Sequence, residues 1–260
     1  MKATRDYTIS SVKKALDILK LFDDQRPELT LSEISELSGI GKSSMLRFLY
    51  TLYNEGFVAY DETTKKYSLG IEMYRLGLSK FNSLDVRKIA RRYLQKLSNE
   101  MNMICYVGIR QGDVLAMVDQ IIPNTVPAWT QLMVQSGGTR ELYSTGMGRL
   151  FLAQDSDAEV EQYLNRVPLK KFTDTTVIDK KALMELVRQA RSDRFSGNVG
   201  ENEPHIYSLC APVYGQNGRM VAGVSLCGLQ EVVCTERYDE CLEKICRAAM
   251  DISRELGYAG

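Results

Sequence analysis

Between Lys42 and Asn54 the chain reads Lys-Ser-Ser-Met-Leu-Arg-Phe-Leu-Tyr-Thr-Leu-Tyr-Asn, with polar residues at the spacing of one helical face. At about 100° per residue, Met45, Leu49 and Leu52 share one side with Phe48 beside them. Ser43, Arg47, Tyr50 and Asn54 then point the other way, with Ser44 and Thr51 on the flank. Side chains of these types hydrogen-bond base edges and phosphates of double-stranded DNA. Arg47 suits a guanine, whose O6 and N7 accept two N–H groups side by side. Lys42 at the helix start, and Lys65 and Lys66 further on, suit phosphates. No acid lies between Glu36 and Glu55 to oppose them.

Other chemistries have less to stand on. The chain holds one histidine, His205, next to the helix-breaking Pro204, where a solvated loop is expected and a hydrolytic triad is not. The cysteines Cys105, Cys210, Cys227, Cys234, Cys241 and Cys246 include no Cys-x-x-Cys pair and no nearby histidine to complete a zinc site. Neither a metal nor a cofactor is predicted. The thiols read as reduced, buried apolar groups. Two alternatives stay open: a thiol-based redox sensor, and an enzyme acting on a small acid through Cys210 or Cys227, neither of which has an evident base.

The elements that must hold the polar face surround it. A first helix is expected from a Ser10 or Ser11 cap to about Phe22, with Val12, Leu16, Leu19 and Phe22 inward, stopped by Asp23, Asp24 and Pro27. Ser32 is expected to cap a short second helix, helped by Glu33 and Glu36 and ended by Gly39. Ser38-Gly39-Ile40-Gly41 then reads as the turn of a helix-turn-helix. Gly56 to Tyr60 and Tyr67 to Leu69 read as strands joined by a polar tip, which forms a wing. Residues 1–69 are therefore expected to be a winged helix-turn-helix DNA-binding domain. Residues 70–83, with Ile71, Tyr74, Leu76, Leu78 and Phe81, are expected to be a helical linker that contacts its twin in a dimer.

Residues 84–260 read as a second domain. A helix over 84–101 precedes strands over 103–109 and 114–122, which flank the turn Arg110-Gln-Gly-Asp113. Helices follow over 145–153, 158–164 and 180–192. Strands over 206–214 and 220–227 are joined by Gly215-Gln-Asn-Gly218, and a last helix covers 236–256. The class is α+β, a mixed or antiparallel sheet with helices on its face.

Totals set bounds. The 260 residues carry 33 Lys+Arg and 33 Asp+Glu, so any DNA affinity comes from local placement of cations. With 44% hydrophobic residues the chain can bury real cores. No signal-like segment or membrane-length apolar run occurs, and a cytoplasmic location is expected.

The sequence resembles the IclR family of bacterial regulators over nearly its whole length. The matching pieces are Ser11-Val-Lys-Lys-Ala-Leu-Asp-Ile-Leu19, Leu31-Ser-Glu-Ile34, Lys42-Ser-Ser-Met-Leu-Arg-Phe-Leu49, Gly56-Phe-Val58 and Tyr67-Ser-Leu-Gly70. Gly146-Met-Gly-Arg149, Ala211-Pro-Val213, Gly218-Arg-Met-Val221, Val224-Ser225 and Ile252-Ser-Arg-Glu-Leu-Gly257 continue the likeness. The resemblance implies a GAF-like C-terminal domain that binds a small organic effector, often a carboxylic or aromatic acid. It also implies a homodimer or tetramer on a pseudo-palindromic operator. It places the effector at Tyr143, Thr145, Gly146, Met147, Asn198, Ser208, Ser225 and Cys227, with Arg140 near the rim. Backbone N–H groups at the start of the Gly146 helix, with the Thr145 hydroxyl, are expected to receive an anion. Trp129 and Met133 are further candidates for an apolar wall. The chain departs from the family at Tyr143, where His is common. Asn198 stands where an acid is frequent, and Ser208 and Cys227 stand where Cys and Ser are.

Overall fold

Leu19, Phe22, Ile34, Met45, Leu49 and Leu52 meet as one core with Ile18, Leu29 and Val58. The computed structural model describes residues 7–23, 25–82, 85–125, 138–233 and 237–260. Asp24, Leu84, Trp129, Met133, Gly137, Cys234 and Glu236 lie outside them. The chain forms two units, Met1–Ser83 and Leu84–Gly260.

In the first unit, α1 (Ser10–Leu19) begins after Ile9 with no side-chain cap, so neither Ser10 nor Ser11 caps it. The helix ends at Leu19, short of Phe22. Its inward face turns on Ile18 and Leu19, and Val12 and Leu16 are each 52% exposed, against expectation. A short strand, β1 (Glu28–Thr30), was not legible in the sequence. Thr30, not Ser32, caps α2 (Leu31–Ser38). The reason is the capping box: the Thr30 hydroxyl accepts the Glu33 N–H while the Glu33 carboxylate accepts the Thr30 N–H. Ser32 has no acid three residues on to reciprocate.

Gly39 closes α2 at φ 68°, a left-handed conformation that glycine adopts without strain. Then come α3 (Lys42–Asn54), β2 (Val58–Asp61), β3 (Lys66–Leu69) and α4 (Ile71–Asn82). The strands form an antiparallel sheet in the order β1-β3-β2. The Asp61 carboxylate accepts the Thr63 and Thr64 N–H groups and shapes the tip of the wing.

The second unit contains α5 (Asp85–Met101), β4 (Ile104–Gln111), β5 (Val114–Ile121), β6 (Thr139–Glu141), α6 (Gly146–Leu152), α7 (Asp157–Arg166) and α8 (Lys180–Asp193). It ends with β7 (Ser196–Val199), β8 (Ile206–Tyr214), β9 (Met220–Leu229), α9 (Gln230–Val233) and α10 (Tyr238–Glu255). The six strands form one antiparallel sheet in the order β6-β5-β4-β9-β8-β7. Its edge strands β6 and β7 are short, three and four residues, against eight to ten in the other four.

Alternate strand residues face opposite sides, so the sheet has two cores. On one side Cys105, Val107, Leu209, Ala211, Val224 and Leu226 pack against α5 and α10. On the other, Tyr106, Leu115, Met117 and Cys210 pack toward α6, α7 and α8. Helices cover both faces, where the sequence suggested one.

Candidate nucleic-acid interface and ligand cavity

On α3, Met45, Leu49 and Leu52 are buried and Ser43, Ser44, Arg47, Tyr50 and Asn54 are exposed, so the helical wheel holds. Thr51 donates its hydroxyl to the Arg47 carbonyl. Lys42 is exposed at the first turn. The wing lysines differ from each other. Lys65 is exposed in the turn, at φ 58°, whereas Lys66 is half-buried with its ammonium 3.7 Å from Glu28. An acid beside Lys66 weakens its pull on a phosphate; Lys65 sits at the tip.

The second unit encloses a cavity of about 390 Å³ on the α6 side of its sheet. The cavity is lined by Thr145, Gly146, Met147, Asn198, Ser208, Ser225, Cys227 and Arg140, all singled out from the sequence. Strand register explains part of this grouping: Ser208 lies opposite Cys227, and Ser225 opposite Tyr106. The Cys227 thiol donates to the Ser208 hydroxyl at 3.1 Å and lies 3.4 Å from the Ser225 hydroxyl, so the floor carries a short row of neutral polar groups. Met103, Ile104, Leu115, Met117, Ile206 and Leu229 make much of the rest apolar.

Charge enters at Arg140 and Glu203, which also line the cavity and face each other loosely at 3.9 Å, and at Arg237, which also lines it and pairs with Glu240 at 3.4 Å. The sequence reading missed Tyr106 and Glu203. The period of two in Ile104 and Tyr106, matching Ser225 and Cys227 on the neighbouring strand, was a usable signal for Tyr106. Nothing local marks Glu203, which arrives on the loop after β7.

Several residues expected to meet a ligand also hold the protein's own structure together. Tyr143 is fully buried outside the cavity lining, and its hydroxyl accepts the Lys170 N–H at 2.7 Å and donates to the Lys170 carbonyl at 3.0 Å. It pins the segment after α7. Thr145 is the N-cap of α6: its hydroxyl accepts the Gly148 N–H. That amide at the helix start is therefore taken, which narrows the anion cradle expected from the sequence. Gly148 is required by closeness, since a Cβ there would lie 2.2 Å from the Leu142 carbonyl oxygen.

Asn198 belongs to a buried network. Arg149 donates to the Tyr143 carbonyl and pairs with Glu201, and both charged side chains are almost fully enclosed. Asn198 donates to the Ser144 carbonyl at 2.6 Å and to Glu201, and accepts the Glu201 N–H. An amide at 198 supplies donors that an acid lacks, and it avoids a second carboxylate beside Glu201. Asn202, on the same loop, donates to the Ser144 carbonyl as well.

Among the described residues the thiols carry no activating environment. Burial pushes Cys105, Cys210, Cys227, Cys241 and Cys246 above the ordinary thiol range, against the form a nucleophile or redox sensor needs. His205 is exposed in a turn, as expected. Among the described residues no cluster of His, Cys, Asp and Glu could hold a metal, and no helix is long and apolar enough to cross a membrane.

Two family models match successive parts of the chain. Residues 11–62 match the model of the IclR helix-turn-helix domain, and residues 79–254 match that of the bacterial transcriptional regulator IclR C-terminal domain. The chain is 29% identical to the HTH-type transcriptional regulator XynR of Escherichia coli over 251 residues, covering 96% of this chain and 98% of that one. It is 28% identical to the regulator KdgR of the same organism, covering 96% and 94%. The crystal structure of an IclR regulator from Alicyclobacillus acidocaldarius superposes with a TM-score of 0.82 at 26% identity, covering 96% of this chain and all of that one.

Proposed function

Since the chain belongs to the IclR family of DNA-binding bacterial transcription regulators, we propose that its second unit senses a small hydroxylated aromatic acid and that occupancy changes operator binding. The observation that carries this reading is the arrangement of the cavity: an apolar body, a neutral polar floor and the Arg140 guanidinium, held by Glu203 more loosely than Arg237 is by Glu240. A ligand carboxylate competes with Glu203 for Arg140. The ring lies against Leu115, Met117 and Ile104, and a hydroxyl meets the Ser208, Ser225 and Cys227 row. Pockets of this kind are mostly apolar with a few directed polar groups. A homologue from Microbacterium hydrocarbonoxydans was crystallised with 4-hydroxybenzoate, a molecule of this class.

DNA is held by Ser43, Ser44, Arg47 and Tyr50 in the groove, with Lys42, Lys65 and Lys66 on phosphates. Residues 1–69 form the DNA-binding domain, 70–83 the linker and 84–260 the effector domain. The regulator acts as a homodimer or a dimer of dimers on a pseudo-palindromic operator, because one copy brings few cations. Ligand shifts the DNA-competent population only by its differential affinity for the two states.

Thermal unfolding with 4-hydroxybenzoate, benzoate and phenol tests the effector class. The hydroxylated acid should raise Tm most, and Arg140→Gln should abolish the response to both acids while sparing the weaker response to phenol. No rise in Tm with either acid at millimolar concentration would overturn the assignment.

A further inference from the structure

Leu46, Tyr50 and Tyr53 are large apolar side chains on α3 that remain 51%, 69% and 51% exposed. Spaced by four and then three residues, they form one stripe. The stripe is continuous with the polar face. Viewed down the helix, Leu46 lies about 60° to one side of Ser43 and Arg47 about 40° to the other. Lys42 opens the helix, and no acid occurs from residue 37 to residue 54, so the whole face complements polyanionic DNA. Phosphates and base heteroatoms give an isobutyl group nothing to bind. The major groove does offer one apolar feature, the 5-methyl group of thymine.

We propose that Leu46 is a base-reading residue that covers a thymine 5-methyl group in the same half-site as the guanine met by Arg47. Tyr50 and Tyr53 flank the contact and shield it from water. This rests on α3 lying in the major groove. Covering one methyl group contributes about a fourfold preference for thymine.

The test uses an operator selected from a random duplex pool by the full-length protein. Each thymine is replaced singly by deoxyuridine, which removes the methyl group and keeps the O4 acceptor and the pairing. Wild type should lose about fourfold in affinity at one thymine per half-site, near the guanine whose replacement is felt by Arg47. Leu46→Ala should bind the thymine and uracil versions equally, with unchanged thermal unfolding.

Equal binding by wild type at every substituted thymine would overturn the proposal, as would full discrimination retained by Leu46→Ala. A change of mass in sedimentation for Leu46→Ala, with methyl discrimination intact, would assign the stripe to a contact between copies instead. Failure of wild type to select any sequence would remove the groove placement itself, a result distinct from selecting a site whose thymine methyl groups are unread.

Discussion

The two units handle charge in opposite ways. In Met1–Ser83 the ion pairs among described residues lie at the surface, such as Lys13 with Asp17 and Arg26 with Asp23, and Arg47 faces water on α3. In Leu84–Gly260, Arg149 and Glu201 are 2% and 7% exposed and meet within a network that includes Asn198, Ser144 and Tyr143. Surface pairs contribute about 0–1 kcal/mol each. A buried pair is costly to break, because the remaining charge has neither water nor partner. The first unit thus keeps its polar groups available to a partner molecule, and the second spends many of its own on holding loops around a cavity.

The sharpest way to break that contrast is Arg149→Met. It strands the Glu201 carboxylate and should destabilise the second unit by about 3–5 kcal/mol in urea unfolding, with the first unit's transition unmoved. Pairing it with Glu201→Gln should restore much of the loss. If Arg149→Met alone costs under about 1 kcal/mol, the pair behaves as a surface pair and the contrast fails.

The first unit should respond in binding instead of stability. Arg47→Ala should cost about 1–3 kcal/mol of operator affinity and relax the sequence requirement at one position, while circular dichroism and Tm stay at wild-type values. Unchanged specific binding would remove Arg47 from base reading. The smallest effect is expected at the wing. Lys65→Ala should weaken binding to all sequences alike and lower the salt slope by about 1, and Lys66→Ala should do less, since Glu28 already faces it.

The same contrast explains what was legible in the sequence. On α3 the exposed face follows from helical geometry, so Ser43, Arg47 and Tyr50 lie where their spacing puts them. Leu46 breaks the rule that apolar residues of a helix face the core, so its exposure does not follow from its type. In the second unit, apolar runs on either side of glycine-bearing turns foretold the four long strands, and the family resemblance pointed to Ser208, Ser225 and Cys227, which the strand register brings side by side. The roles of Tyr143 and Asn198 were hidden because their partners, Lys170, Ser144 and Glu201, are brought near by tertiary folding. The short edge strands β6 and β7 were missed since three or four residues carry too little pattern. Thr30 was missed as a cap because Ser32 also fits the residue preference, and the reciprocal bond with Glu33 decides between them.

The central claim is that occupancy of the cavity and grip on DNA are linked. The most direct measurement is operator affinity by fluorescence anisotropy, with and without 4-hydroxybenzoate, for wild type and Ser208→Leu, whose added side chain fills the floor. Wild type should change affinity severalfold on adding the acid, the size of a typical coupling. Ser208→Leu should bind the operator as the ligand-free wild type does and ignore the acid. A response to the acid in Ser208→Leu equal to that of wild type would contradict the claim.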